Sequence, residues 1–209
     1  MDSLGKAYKT FMMLKYLLIL TFITFGVIPA PVSADNGNIP VDLQVKLFLT
    51  ALTYDKNLEK RANTQIDITI LYFPWSAPSK EAALSFSKTL EMFKDKKISG
   101  RSFNVSLLTY NGDFGLKEKL ADKHVDVLFI VGGEESMVRD IIKITQAEKI
   151  LSCSNKAAYV TTCGVTMAVG PKDNKPKIYL NLTSAKREGA DFSAKFLRVA
   201  EIVDSEEKD

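Results

Sequence analysis

Apolar residues recur at helical spacing over residues 40–54, where Val41, Val45, Phe48, Leu49 and Leu52 share one face. Pro40 suits the first position of that helix. Residues 65–73 (QIDITILYF) are rich in β-branched side chains and stop at Pro74, which predicts a strand. A second amphipathic helix is predicted over residues 79–94, with Ser79 as its cap and Ala82, Ala83, Phe86, Leu90 and Phe93 as its stripe. The alternation repeats. Residues 103–108 read as a strand ended by Asn111-Gly112, and residues 116–123 as a short helix. Residues 125–131 (VDVLFIV) are nearly all apolar, as a strand covered on both faces should be. Gly132-Gly133 ends that strand, and a helix over 135–148 and a short strand over 149–152 follow.

The pattern then changes. Two short strands, 165–169 and 177–182, flank the polar turn Pro171 to Pro176 and predict an antiparallel hairpin. A closing helix is predicted over 190–203, with Phe192, Phe196, Val199, Ala200 and Val203 on one side. The fold class is therefore three-layer α/β: a mostly parallel sheet flanked by helices, with a C-terminal antiparallel hairpin. Leu128, Phe129 and Ile130 are its expected central core, and Phe196 and Leu197 the docking residues of the last helix.

The N-terminus has a different character. Lys6, Lys9 and Lys15 precede an uncharged apolar run over residues 16–28, then Pro29-Ala30-Pro31 and the small residues of Val32-Ser33-Ala34. That order is a cleavable secretory signal over residues 1–34, with cleavage after Ala34. The run is short of the roughly 20 residues a membrane span needs, which leaves an uncleaved anchor as the alternative. Residues 35–209 form one expected domain.

The whole chain carries +3, and residues 1–34 hold three lysines and one aspartate, so the remainder is near +1. Neither nucleic acid nor an anionic membrane surface is indicated as a partner. Export would place Cys153 and Cys163 in an oxidising compartment. The expectation is a Cys153–Cys163 disulfide across a turn-rich stretch (SNKAAYVTT), worth about 2–3 kcal/mol on chain-entropy grounds. Two buried free thiols or a redox switch are the alternatives.

Trp75, the only tryptophan, sits between Pro74 and Pro78 in the loop after the first strand, where parallel sheets bind ligands and partners. It is the candidate partner-binding residue, unless it folds back onto the nearby helix. Gly132-Gly133 leads into a helix N-terminus, a natural anion site, but Glu134 and Glu135 already occupy the positive end of the dipole. His124 is the only histidine and has no neighbouring ligand set, so it reads as solvated. Asp67 and Asp126 lie within strands, at a face or edge rather than in an acid–base dyad. Asn104 and Asn181 match the glycosylation acceptor but fall on predicted strands. No catalytic residue, cofactor or metal set is predicted.

The C-terminal third carries a likeness. Residues 164–170 (GVTMAVG), 175–182 (KPKIYLNL) and 188–200 (EGADFSAKFLRVA) resemble the YfiR-like family of periplasmic proteins. Residues 43–54, 126–131 and 150–151 fit the family's order, so the likeness spans about 40–203. The resemblance implies a periplasmic regulator rather than an enzyme. It implies that the chain restrains a membrane-bound diguanylate cyclase through the periplasmic domain of that cyclase, lowering cyclic-di-GMP signalling. An outer-membrane-associated protein and a homodimer are the other implied partners. Redox-sensitive disulfides occur in the family, and Cys153 and Cys163 fall near its C-terminal one, at wider spacing. An upstream pair has no counterpart here. The alternative function is a periplasmic small-molecule-binding protein that uses the loops after the parallel strands.

Overall fold

The computed structural model describes residues 39–112 and 115–203; the expected signal segment 1–34 lies outside the described residues. The elements run α1 (Val41–Leu52), α2 (Leu58–Arg61), β1 (Ile66–Tyr72), α3 (Ala77–Glu91), β2 (Phe103–Thr109), α4 (Leu116–Asp122), β3 (Val127–Val131), α5 (Glu135–Glu148) and β4 (Leu151–Ser154). They continue through α6 (Ala158–Thr162), β5 (Met167–Lys172), β6 (Lys175–Asn181), α7 (Leu182–Arg187), α8 (Ala194–Leu197) and β7 (Glu201–Val203). Seven strands form one sheet in the order β2-β1-β3-β4-β5-β6-β7. Strands β1 to β5 are parallel, β6 is antiparallel to β5, and β7 is parallel to β6. This is the expected mostly parallel α/β sheet with a C-terminal hairpin.

Alternate residues of each strand feed two cores, one on each face. On one face Ile66, Ile68, Ile70, Val127, Phe129 and Leu151 pack beneath α1 and α3. There the Phe86 ring stacks on Phe129 at 3.8 Å, and Phe48 meets both rings edge-on. On the other face Leu71, Leu128 and Ile130 pack beneath α4, α5 and α6. Leu128, Phe129 and Ile130 are buried, as a central strand with helices on both sides requires.

Four sequence expectations are corrected. The cap of α3 is Ser76, whose Oγ accepts from Ser79 N at 3.3 Å, rather than Ser79. The hairpin turn is only Asp173-Asn174, both at positive φ (50° and 58°), so β5 and β6 extend through the paired Pro171 and Pro176. A two-residue turn of this hand matches the twist of the strands, and proline is tolerated where its missing N–H is not needed.

The stretch 190–203 is not one helix. Phe192 bridges Asp55 in extended backbone, α8 is four residues long, and the chain ends as β7. The cause is a polar anchor. Asp191 N donates to Asp55 Oδ1 at 2.9 Å, Ser193 N donates to Tyr54 O at 3.0 Å, and Arg61 pairs with the buried Asp55 at 2.7 Å. Phe192 and Phe196 are buried and Leu197 half-buried, but Val199 is exposed.

The fourth correction concerns the cysteines. Cys153 and Cys163 are free and buried. Cys153 points from β4 into the core under α1 and α3, whereas Cys163, just past α6, packs into the opposite core. The sheet lies between them, because the supposed turn folds as α6 and carries Cys163 to the other face. Burial pushes both thiols above their ordinary range, Cys153 strongly.

Candidate functional site

The strand order reverses direction between β1 and β3: α3 leaves β1 on one face and α5 leaves β3 on the other. Such a switch point opens a crevice at the carboxyl ends of the strands. Here it is a cleft of about 480 Å³, lined by the loops after β1, β3 and β4.

The loop after β1 is pinned. Ser79 Oγ accepts from Phe73 N at 3.0 Å and donates to Val131 O, tying the end of β1 to the end of β3. Ser76 N donates to Phe73 O at 3.1 Å and closes the turn. Trp75 is carried on this turn and is 60% exposed. It does not fold onto a helix. Its ring stands edge-on to Phe73 at 5.7 Å and to Tyr110 at 6.0 Å, and those two rings meet at 4.9 Å. The tryptophan is therefore both accessible and braced.

Gly132 and Gly133 make the opposite wall, at φ of 76° and 97°. The Phe73 ring lies so close over Gly133 that a Cβ there would fall 2.4 Å from two ring carbons. Tyr159 from α6 completes the brace by donating its OH to Gly133 O at 2.6 Å, and Lys156 Nζ donates to the same hydroxyl at 2.9 Å. Lys156 and Glu134 bring opposite charges to the rim. Asn155 also lines the cleft, and its Oδ1 is buried without a hydrogen-bond partner.

The other candidates are scattered. His124 is exposed at the amino ends of the strands, in a second depression with Arg61, Glu148 and Lys149. Asp67 and Asp126 do meet: Asp67 N donates to Asp126 Oδ2 at 2.8 Å, which uses that carboxylate to close the strand ends. Burial holds the Asp126 carboxyl above its ordinary range. Asn181 is buried as the cap of α7, accepting from Ser184 N at 2.9 Å, so it is no glycan acceptor in the fold. Among the described residues no group of three His, Cys, Asp or Glu side chains is placed to hold a metal. Among the described residues, also, no helix is long and apolar enough to cross a membrane.

Sequence reasoning missed Ser79, Tyr110, Lys156 and Tyr159 at the cleft, because each lies on a different loop or helix and no local motif joins them. It also missed Glu188, which is fully buried beside β4. Glu188 Oε2 accepts from Ser152 N at 2.7 Å and from Thr166 Oγ1 at 2.6 Å. Thr145 Oγ1 donates to Glu188 Oε1 at 2.6 Å and also lies 3.0 Å from Ile142 O. Thr145, Thr166 and Ser152 thus all donate to this one carboxyl. Burial pushes this carboxyl above its ordinary range, and the hydrogen bonds from Thr145, Thr166 and Ser152 oppose that rise.

Residues 57–201 match the family model described as YfiR/HmsC-like. No curated protein matches the sequence. Solved structures share the fold. A conserved domain protein from Vibrio cholerae O1 biovar El Tor aligns at TM-score 0.54 and 17% identity, over 78% of this chain and 60% of that one. A substrate-binding protein with adhesive properties from Clostridium difficile, in its ligand-free open form, gives 0.52 and 13%, over 72% and 58%. A domain from Streptococcus pneumonia in complex with L-Trp gives 0.55 and 14%, over 78% and 60%. The chain thus spans about 60% of the length of the solved proteins it resembles.

Proposed function

The chain belongs to the YfiR/HmsC-like family of periplasmic regulators, and from that premise we propose that it restrains a membrane-bound diguanylate cyclase by docking on the periplasmic domain of that cyclase. The signal read in residues 1–34 carries it to that compartment, and release follows when an outer-membrane-associated protein captures it.

The observation that supports this reading most is Trp75. A large ring that is 60% exposed yet fixed by Ser79, Phe73 and Tyr110 has little side-chain freedom left to lose on docking. Protein interfaces draw most of their energy from such anchors, about 2 kcal/mol or more each. The test is capture of the cyclase from membrane extract by the purified protein. Trp75→Ala should weaken capture by at least about thirtyfold, the equivalent of that 2 kcal/mol, with an unchanged circular dichroism spectrum. Deleting the gene should raise cyclic-di-GMP. Unchanged cyclic-di-GMP on deletion, together with no cyclase in the captured fraction, refutes the regulator reading.

The cleft itself favours a second reading, a small-molecule-binding protein. Its position at the switch point and its volume of about 480 Å³ suit a ligand of modest size. A thermal-shift panel of periplasmic metabolites separates the two readings.

A further inference from the structure

We infer that Asn111 is a self-modifying site. Its side-chain amide is lost by attack of the Gly112 backbone nitrogen, and the main product is isoaspartate, beside the aromatic group that carries Trp75. The inference does not rest on the cyclase or the cleft.

The reaction needs an asparagine whose side-chain carbonyl carbon the next backbone nitrogen can reach. A side chain on that next residue crowds the approach, and glycine has none. Among the described residues Asn111 is the only asparagine that precedes a glycine. The pair lies past the end of β2, outside any helix or strand, and Asn111 is exposed. Gly112 sits at φ +92°, and nothing lies within 4 Å of the place its Cβ would take. Among the described residues no hydrogen bond holds the Asn111 amide or the Gly112 N–H. Neither group has a partner to give up before it reacts.

Asn104 shows the opposite case on the same strand. It too is exposed, but it lies within β2, donates from Nδ2 to Asp67 Oδ1 at 3.3 Å and is followed by the β-branched Val105. Asn181 is buried, with its side chain committed as the cap of α7.

At Asn111 the Gly112 nitrogen forms a bond to Cγ, the Cγ–Nδ2 bond breaks, and ammonia leaves with the Gly112 amide proton. Water then opens the succinimide ring. Addition at Cγ gives aspartate on the original backbone. Addition at the main-chain carbonyl carbon of residue 111 leaves the chain running through Cγ, as isoaspartate. That carbonyl lies nearer the electron-withdrawing backbone nitrogen of residue 111 and is the more electrophilic, so isoaspartate predominates. Water is the only co-reactant, and nothing is oxidised or reduced.

The location gives the reaction its consequence. Tyr110 N donates to Tyr72 O at 2.9 Å, and the Tyr110 ring lies against Phe73 and Trp75. A negative charge and an added backbone atom arise at the very next residue. The Trp75 face of an old molecule therefore differs from that of a new one.

The exported protein, kept folded in warm, mildly alkaline buffer, provides the test. Trypsin releases residues 102–117 as one peptide that carries both Asn104 and Asn111. Fragmentation of that peptide should place the amide-to-acid mass gain on Asn111 and leave Asn104 unchanged. Protein isoaspartyl methyltransferase should methylate the peptide from aged protein and not the one from fresh protein. Gly112→Ala should slow the conversion at least about tenfold, because its methyl crowds the attack. Asn111→Gln, whose longer side chain closes a ring much more slowly, should abolish methylation of the aged peptide, with the circular dichroism spectrum unchanged. A folded protein that keeps the Asn111 amide while a synthetic 102–117 peptide loses it overturns the inference, and so does equal conversion of Asn104 and Asn111.

Discussion

Replacing Gly133 by alanine isolates the contact on which the Trp75 loop stands. Two costs combine at this position. The backbone sits at φ +97°, a region that side chains rarely adopt, and forcing a residue there costs about 1–3 kcal/mol. The new methyl also falls 2.4 Å from two carbons of Phe73, whose ring is fully buried. Overpacking of that kind costs a further 1–3 kcal/mol or so. The expected loss is about 2–6 kcal/mol, the sum of the two. Gly112 provides a matched control: its φ is +92°, but a Cβ there meets nothing within 4 Å. Gly112→Ala should therefore lose the first term alone. Urea unfolding followed by circular dichroism measures both variants, and the difference between them is the Phe73 overlap. Because Phe73 braces Trp75, the emission of the single tryptophan should also shift in Gly133→Ala and stay unchanged in Gly112→Ala. Equal losses in the two variants would refute the claim that Gly133 is required by packing.

Two further expectations concern the buried polar and aromatic interior. Glu188→Gln keeps every hydrogen bond, with the amide N–H donating to Thr145 and the carbonyl accepting from Ser152 and Thr166, so it should fold normally at neutral pH. The folded-state pKa of Glu188 is raised. The native state therefore holds this proton more tightly than the unfolded chain, and stability falls as pH rises from the ordinary glutamate range through the raised value. Thermal unfolding across that window should show the decline in the wild type and its loss in Glu188→Gln; identical profiles would mean that Glu188 is ionised in the fold. Phe196→Ala removes a fully buried ring stacked on Tyr54 at 5.3 Å and tilted against Phe192 at 5.2 Å, and should cost about 3–5 kcal/mol in the same assay, whereas a loss under about 1 kcal/mol would make α8 peripheral.

The parallel half of the fold was legible because its signals are local. The all-apolar run ending in Gly132-Gly133 can only be a strand covered on both sides, and α5 occupies the predicted residues 135–148 without a shift. The C-terminal helix misled because Phe192, Phe196, Val199 and Val203 are apolar at helical spacing for separate reasons. The first two fill a core, Val199 is exposed, and Val203 belongs to the edge strand β7. What breaks the helix is Asp55, well over a hundred residues upstream, which no window along the sequence can contain. The same limit hid the cleft. Trp75 was visible as a lone tryptophan between prolines, but the Ser79, Tyr110 and Tyr159 side chains that hold its loop and the facing wall converge only after the sheet has formed.

The sheet that separates Cys153 from Cys163 also imposes an order of events. Before the strands assemble, these two thiols are near neighbours along a flexible chain, and an oxidising compartment would join them readily. Once β4 and α6 have taken their places, each sulfur is buried in its own core, on opposite faces of the sheet. In an oxidising compartment, maturation would be a race between folding and oxidation. A Cys153–Cys163 bond formed early would then hold α6 back from the face it occupies in the fold.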